Sequence, residues 1–170
     1  MMLVKQTPWL VPARASAIPQ ADNLRPSLTR QQISQIARIF DPPVEDELAK
    51  ARTAWTEYQS SRKRDAVYGY LNAVSEIVVR WKEQRRAKAC SHQALIATKN
   101  SGTIKIDEPF DVVIFCTSDS RKVDAKTRSK WSRALRYAER FKPDNQGLTQ
   151  FIKSKGGINK CAAQWSDRLR

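Results

Sequence analysis

The sequence predicts an all-α fold, a multi-helix bundle that contains a long helical hairpin and a C-terminal helix-turn-helix-like segment. Glycine is scarce, at 5 of 170 residues, and runs in which β-branched residues alternate with polar ones are almost absent. Apolar residues instead recur at spacings of three and four, the period of an amphipathic helix. A chain of this length suits a single domain, which buries roughly two-thirds of its unfolded surface.

Residues 1–26 are predicted to form a flexible N-terminal arm that precedes a single helical domain over residues 27–170. The arm contains four prolines and shows neither a helical nor a strand period. It also lacks the continuous apolar segment of a secretory signal. The domain begins with Thr29 and Gln32 in the spacing of a capping box, followed by an apolar stripe that ends at Phe40.

A helical hairpin is predicted over residues 44–97, because two successive segments repeat apolar residues at spacings of four, three, four and three. The first segment carries Val44, Leu48, Ala51, Trp55 and Tyr58. The second carries Val67, Leu71, Val74, Val78 and Trp81. We expect Asp65 to cap the second helix, which is predicted to continue to about Ala97. Such helices most often pack antiparallel within one chain, and a homodimer along the same seam is the alternative.

The sequence of residues 107–117 is compatible with either a helix or a strand. Glu108-Pro109 is typical of the start of a helix, which would then bury Phe110 and Ile114. The β-branched run over residues 112–116 fits a strand equally well. Residues 103–107 have an extended pattern, but one strand makes no sheet.

Positive charge is concentrated in the basic C-terminal helices over residues 121–170. This segment holds fourteen Lys and Arg against four acidic residues, so it carries +10 of the net charge of +14. Clustered Lys and Arg are typical of a surface that faces a polyanion.

Three helices are predicted within this basic segment. Asp124 is expected to cap the first, which ends before Pro143. Its apolar and cationic residues fall on opposite sides at 100° per residue. Two shorter helices follow over residues 148–155 and 158–169, separated by Gly156-Gly157. This order is the outline of a helix-turn-helix, although helix–Gly–helix corners are also common in ordinary all-α proteins.

A nucleic-acid-binding accessory or regulatory protein is the function that this charge favours, with DNA preferred over RNA as the partner. Tyr137 lies beside the cationic stripe, which keeps stacking on an exposed base of a single strand open. The alternative is a protein-interaction adaptor whose basic face binds an acidic partner protein. The candidate nucleic-acid-binding residues are Lys126, Lys130, Arg133, Arg136, Arg140, Lys153, Lys155 and Lys160.

Enzymatic activity is not expected, and neither a cofactor, a metal nor a small-molecule substrate is predicted. The sequence contains no Walker loop, GxGxxG, HExxH or GxSxG motif. The single histidine, His92, lies two residues after Cys90, and on a helix such side chains point about 200° apart. A two-metal nuclease is the weaker alternative, because its candidate acids fit no motif spacing: Asp107, Glu108, Asp111 and Asp119.

The three cysteines are predicted to be reduced thiols of a cytoplasmic protein, since they are widely spaced and form no CxxC pair. The chain contains no apolar run of about 18 residues, so no membrane association is expected.

Three segments resemble a family of small uncharacterised bacterial proteins: DAVYGYL at 65–71, TRSKWSRALRYA at 127–138 and FIKSKGGIN at 151–159. The likeness spans roughly Val44 to the C-terminus. The resemblance implies one integral domain in the bacterial cytoplasm, and it implies no activity, cofactor, partner or site residue.

Overall fold

The computed structural model describes residues 43–61, 63, 65–98 and 105–168, which contain seven helices and no strand. The predicted all-α fold is therefore confirmed. The arm predicted over residues 1–26 and the helix expected after Thr29 lie outside the described residues. The helices are α1 (Val44–Ser60), α2 (Ala66–Glu83), α3 (Ala87–Ala97), α4 (Pro109–Thr117), α5 (Ala125–Phe141), α6 (Leu148–Ser154) and α7 (Ile158–Asp167).

Helices α1 and α2 pack against each other along the predicted apolar seams. Leu48 on α1 and Leu71 on α2 are both fully buried. A carboxylate is buried with them, because Glu47 accepts a 2.5 Å hydrogen bond from Trp81 Nε1 and a 3.1 Å bond from Arg80. The hairpin is thus held by an apolar seam and by one internal polar contact.

The second helix ends at Glu83, so the prediction that it continues to Ala97 was wrong. Arg85 adopts a left-handed conformation with φ of 56°. The amide of Arg86 then bonds the carbonyl of Trp81 at 2.8 Å, and the amide of Arg85 bonds that of Lys82 at 2.9 Å. This is the Schellman motif, in which glycine normally occupies the left-handed position. Because arginine occupies this position, the sequence around residue 85 has no glycine that would predict the end of the helix.

Residues 109–117 form a helix, which settles the choice between helix and strand. Pro109 lies in the first turn, where its missing N–H costs nothing. Helix α4 is buried on most of its surface and contacts α1, α2, α3 and α5, which explains its uniformly apolar sequence. An extended segment was expected over residues 103–107, of which the structure describes residues 105–107. These form a turn, in which the Glu108 amide donates a 3.1 Å hydrogen bond to the Lys105 carbonyl.

The C-terminal helices share one apolar cluster with the hairpin. Four rings form its centre, with neighbouring centroids between 5.2 and 6.2 Å apart. The Tyr70 hydroxyl lies 2.8 Å from Thr117 Oγ1, which ties α2 to α4 as well. Helix α5 is therefore anchored in the same core as α1 and α2. The four rings belong to Trp55, Tyr58, Tyr70 and Trp131.

Candidate nucleic-acid interface

The basic C-terminal surface is defined here as the described Lys and Arg of residues 121–168. In the described part of the chain, only Arg136 and Lys153 among them form salt bridges with carboxylates. The surface therefore keeps most of its positive charge uncompensated. Its members are Arg121, Lys122, Lys126, Arg128, Lys130, Arg133, Arg136, Arg140, Lys142, Lys153, Lys155, Lys160 and Arg168.

Helix α5 is built as predicted at its start. The Asp124 carboxylate accepts a 2.9 Å hydrogen bond from the Thr127 amide. These capping bonds lower the pKa of Asp124, with smaller contributions from Lys130 and Lys126. The cap fixes where the helix begins.

Arg136 is not free to contact a ligand, because its guanidinium binds carboxylates at the start of α4. It forms a short ion pair with Asp111 and lies 3.0 Å from Glu108. Only 17% of its side chain is exposed. The prediction that Arg136 belongs to an open cationic stripe is therefore corrected by the packing of α4 against α5.

Arg133 is half-buried, because α7 packs against α5 on this side. Its Nη1 donates a 2.6 Å hydrogen bond to Ser166 Oγ on α7, and its Nε donates a 3.3 Å bond to the Ser129 carbonyl. Arg133 keeps its charge without a carboxylate partner in the described chain, but its guanidinium is already oriented by α7.

Besides Arg133, three candidates on α5 have no carboxylate partner among the described residues. Lys126 and Arg140 are exposed, and Lys130 is partly exposed. No salt bridge joins any of the three to a described acid within 4.0 Å. Of the predicted stripe, these residues fit the phosphate-binding role best.

The corner between α6 and α7 carries the other three candidates. Lys153 binds the Asp65 carboxylate at 2.6 Å, and that hydrogen bond raises the pKa of its ammonium group. Asp65 makes no side-chain capping bond to α2, so the predicted cap is replaced by this ion pair. Lys155 and Lys160 are exposed and have no described carboxylate partner.

The turn between α6 and α7 is a second Schellman motif, as the glycines predicted. Gly156 and Gly157 have φ of 90° and 92°. The Gly157 amide bonds the Ile152 carbonyl at 2.9 Å, and the Gly156 amide bonds the Lys153 carbonyl at 3.0 Å. The two helices therefore leave the turn at a defined geometry with lysines on both sides.

Tyr137 cannot stack on a base, contrary to the expectation from the sequence, because only 6% of its surface is exposed. Its ring packs 4.8 Å from Phe141 and 6.0 Å from Phe151, measured between centroids. Phe151 comes from α6, so the burial of Tyr137 depends on the packing of α6 against α5, which the sequence of α5 alone does not predict.

An open groove of about 830 Å³ lies between α2 and α6. One feature of the sequence indicates this groove, although the predicted site does not include it: Gly69 is a glycine inside a helix, at a position where no turn requires one. The groove is lined by Tyr68, Gly69, Asn72, Gly147, Leu148, Thr149, Gln150, Lys153 and Ser154.

A second pocket of about 340 Å³ has a floor that includes Phe110 and Trp165. Three ion pairs line its rim, so its charges are locally compensated and it does not extend the basic C-terminal surface. These pairs are Lys82–Glu139 at 2.7 Å, Lys88–Asp107 at 3.0 Å and Arg136–Glu108 at 3.0 Å.

Of the residues considered for catalysis, Glu108 and Asp111 meet at the Arg136 guanidinium, which neutralises them. Cys90 is fully buried in α3, and burial raises the pKa of its thiol, whereas His92 on the same helix is exposed. Asp107, Glu108 and Asp111 are each bound to a Lys or Arg. In the described ranges, no three His, Cys, Asp or Glu side chains are grouped to hold a metal ion.

No helix in the described part of the chain is both long and apolar enough to cross a membrane. Comparisons of the chain with protein-family models, with curated proteins and with solved structures give no match. The resemblance to small bacterial proteins stays a prediction.

Proposed function

We propose that this protein is a non-enzymatic nucleic-acid-binding protein that holds DNA, in preference to RNA, through its basic C-terminal surface. An accessory or regulatory role is inferred from the basic charge alone, and the bacterial cytoplasm is the setting that the sequence resemblance implies. The observation that carries the proposal is the charge left after internal pairing: all but two of the described cations over residues 121–168 lack a carboxylate partner among the described acids. Uncompensated charge of one sign on one segment favours a polyanionic partner.

Counterion release supplies the affinity. Each phosphate that a Lys or Arg neutralises releases condensed cations from the nucleic acid, so binding weakens as salt rises. With roughly six to eight phosphate contacts, log K falls against log salt with a slope of about −5 to −7 on duplex DNA.

The corner of α6 and α7 supports a helix-turn-helix-like mode of binding. In that mode, the N-terminal residues of the second helix contact base edges in the major groove. Asn159 is exposed in the first turn of α7, and asparagine bonds base edges, whereas the exposed Lys160 beside it is assigned to phosphate. Lys155, on the other side of the turn, is then available for the phosphate backbone.

Neutralisation of three exposed lysines, Lys126→Gln, Lys155→Gln and Lys160→Gln, tests the proposal. We expect the salt slope on a labelled random duplex to become shallower by about three, because three phosphate contacts are lost. Fluorescence anisotropy at about 50 and 200 mM salt measures the slope. Arg136 is left unchanged, because its substitution would strand Asp111 and Glu108 without a cation.

The matched control removes three positive charges elsewhere, with Lys50→Gln, Lys88→Gln and Lys105→Gln. All three lysines are exposed, and among the described residues the salt bridge lost is that from Lys88 to Asp107, which is exposed and contributes little. Equal slopes for the two triple variants would contradict the proposal. Absence of binding by the parent protein at about 50 mM salt would instead favour the adaptor, whose acidic protein partner uses the same cations.

A further inference from the structure

The groove between α2 and α6 contains a glycine that neither packing nor backbone geometry explains. Gly69 lies in the first turns of α2, a helix of 18 residues, and is exposed. Glycine inside a helix is destabilising relative to alanine. A Cβ built at Gly69 would meet no atom within 4 Å, and its φ lies outside the left-handed range. The consequence of glycine here is an unobstructed groove floor.

The opposite wall is equally free of obstruction. Gly147 precedes α6, and a Cβ there would also meet no atom within 4 Å. Between these two positions the groove has about 830 Å³, within the range of roughly 300–1,000 Å³ that is usual for ligand sites.

The chemistry of the walls matches that of a nucleobase. Tyr68 is half-buried, and Lys153 Nζ lies 5.4 Å from the centroid of its ring in a cation–π contact. The Gln150 side chain is exposed and makes no hydrogen bond to a described residue. The Asn72 amide nitrogen donates a 2.6 Å hydrogen bond to Glu76, and the Asn72 amide oxygen has no partner among the described residues. Aromatic rings stack on bases, and side-chain amides bond base edges. None of the lining residues is acidic.

The groove also borders the basic C-terminal surface. Lys153 lies in the groove wall, and Lys155 follows Ser154, the last residue of α6 and part of the same wall. A base that enters the groove therefore brings its flanking phosphates toward the lysines of the α6–α7 turn.

We propose that the α2–α6 groove binds an unpaired nucleobase of a single-stranded segment, with Tyr68 as the stacking residue and Gln150 and Asn72 as hydrogen-bonding residues. The inference rests on the proposed nucleic-acid function and adds to it a site for bases that are not paired in a duplex.

Filling the groove tests this inference without disturbing the phosphate-binding lysines. Gly69→Met places a long side chain on the groove floor, whereas Gly69→Ala removes the glycine and leaves the groove open. Methionine and alanine both favour helix more than glycine does, so neither variant should melt below the parent protein. The probes are one labelled mixed sequence as single-stranded DNA, as single-stranded RNA and as duplex DNA.

We expect Gly69→Met to weaken single-strand binding by roughly 5- to 100-fold, the range that one stacked base accounts for, and to leave duplex binding unchanged. Gly69→Ala adds one methyl group to the floor, so it should lose less single-strand affinity than Gly69→Met and should bind the duplex as the parent protein does. Tyr68→Leu, which keeps an apolar side chain but removes the ring, should match Gly69→Met. The probe that loses more affinity, DNA or RNA, identifies the strand that the groove accepts, since only RNA carries the 2′-hydroxyl.

Unchanged single-strand binding by a folded Gly69→Met variant would overturn the inference and leave duplex binding by the lysines standing. Equal losses on duplex and single strand would overturn it too, because the groove would then have no preference for unpaired bases. If the parent protein binds none of the three probes at low salt, the proposed function and the inference both fail.

Discussion

Glu47 shows how strongly a single buried polar residue depends on its neighbours. Only 2% of its surface is exposed, although its sequence position is that of an ordinary acid in the first turn of α1. Buried carboxylates are tolerated where hydrogen bonds and an opposite charge compensate the lost hydration. Trp81 and Arg80 on α2 provide that compensation. The contact therefore selects the register in which α1 and α2 pack.

Removal of the Glu47 carboxylate should be costly. Glu47→Ala leaves the buried Trp81 N–H without an acceptor, so we expect the free energy of unfolding to fall by about 3 kcal/mol. Glu47→Gln keeps an amide oxygen as acceptor and should cost about 1 kcal/mol. Urea denaturation measures both. Glu45→Ala is the control, since its exposed pair with Arg52 contributes little, and an equal loss in Glu45→Ala and Glu47→Ala would refute the role of the buried contact.

Helices α2 and α6 end in the same way with different residues. Both close with a Schellman motif, with Arg85 in the left-handed position after α2 and Gly156 in that position after α6. A side chain in the left-handed conformation brings its Cβ too close to the following carbonyl. The end of α2 is thus formed at the expense of local strain.

Substitutions at these two left-handed positions should change the free energy of unfolding in opposite directions. Arg85→Gly relieves the left-handed strain, so we expect a gain of about 0.5–1 kcal/mol in the free energy of unfolding. Gly156→Ala introduces that strain and should cost about 1 kcal/mol, since its new Cβ would also lie 2.8 Å from Lys160 Cδ. Thermal unfolding of both variants checks the pair. A loss of stability in Arg85→Gly would show that the Arg85 side chain contributes more than its backbone costs.

One hydrophobic core connects the N-terminal hairpin to the basic helices. Trp131 of α5 packs against Trp55 of α1 and Tyr70 of α2, with centroid distances of 6.2 and 5.8 Å. The part of the basic C-terminal surface that belongs to α5 is therefore carried on a helix whose other side is locked into the core. Such an arrangement fixes the spacing of the surface lysines before any ligand binds.

Unfolding should consequently be one cooperative event. We expect the helical signal in circular dichroism and the tryptophan fluorescence to change with the same midpoint in urea, because the described helices share one core. Trp131→Ala should lower the free energy of unfolding by about 3–5 kcal/mol and keep the two signals coincident. Separate midpoints in the parent protein would mean that the hairpin and the basic helices unfold independently.

Local signals in the sequence were sufficient for most helix positions. Apolar periodicity located α1, α5 and α7, Asp124 marked the start of α5, and Gly156-Gly157 marked the turn before α7. These predictions succeeded because a cap, a left-handed glycine or an amphipathic face is a property of a few adjacent residues. The break after Glu83 was missed because Arg85 carries no such local preference.

The candidate site depended on contacts between residues far apart in the chain. Charge composition alone located the basic segment, since net charge is a sum that does not depend on folding. Tertiary packing then decided which of these residues can reach a ligand. Acids at the start of α4 neutralise Arg136, and α6 covers Tyr137. The approach of α6 to α2 creates the groove beside Tyr68. Ion pairs, burial and grooves form between elements, so periodicity within one helix predicts which residues share a face but not what that face meets.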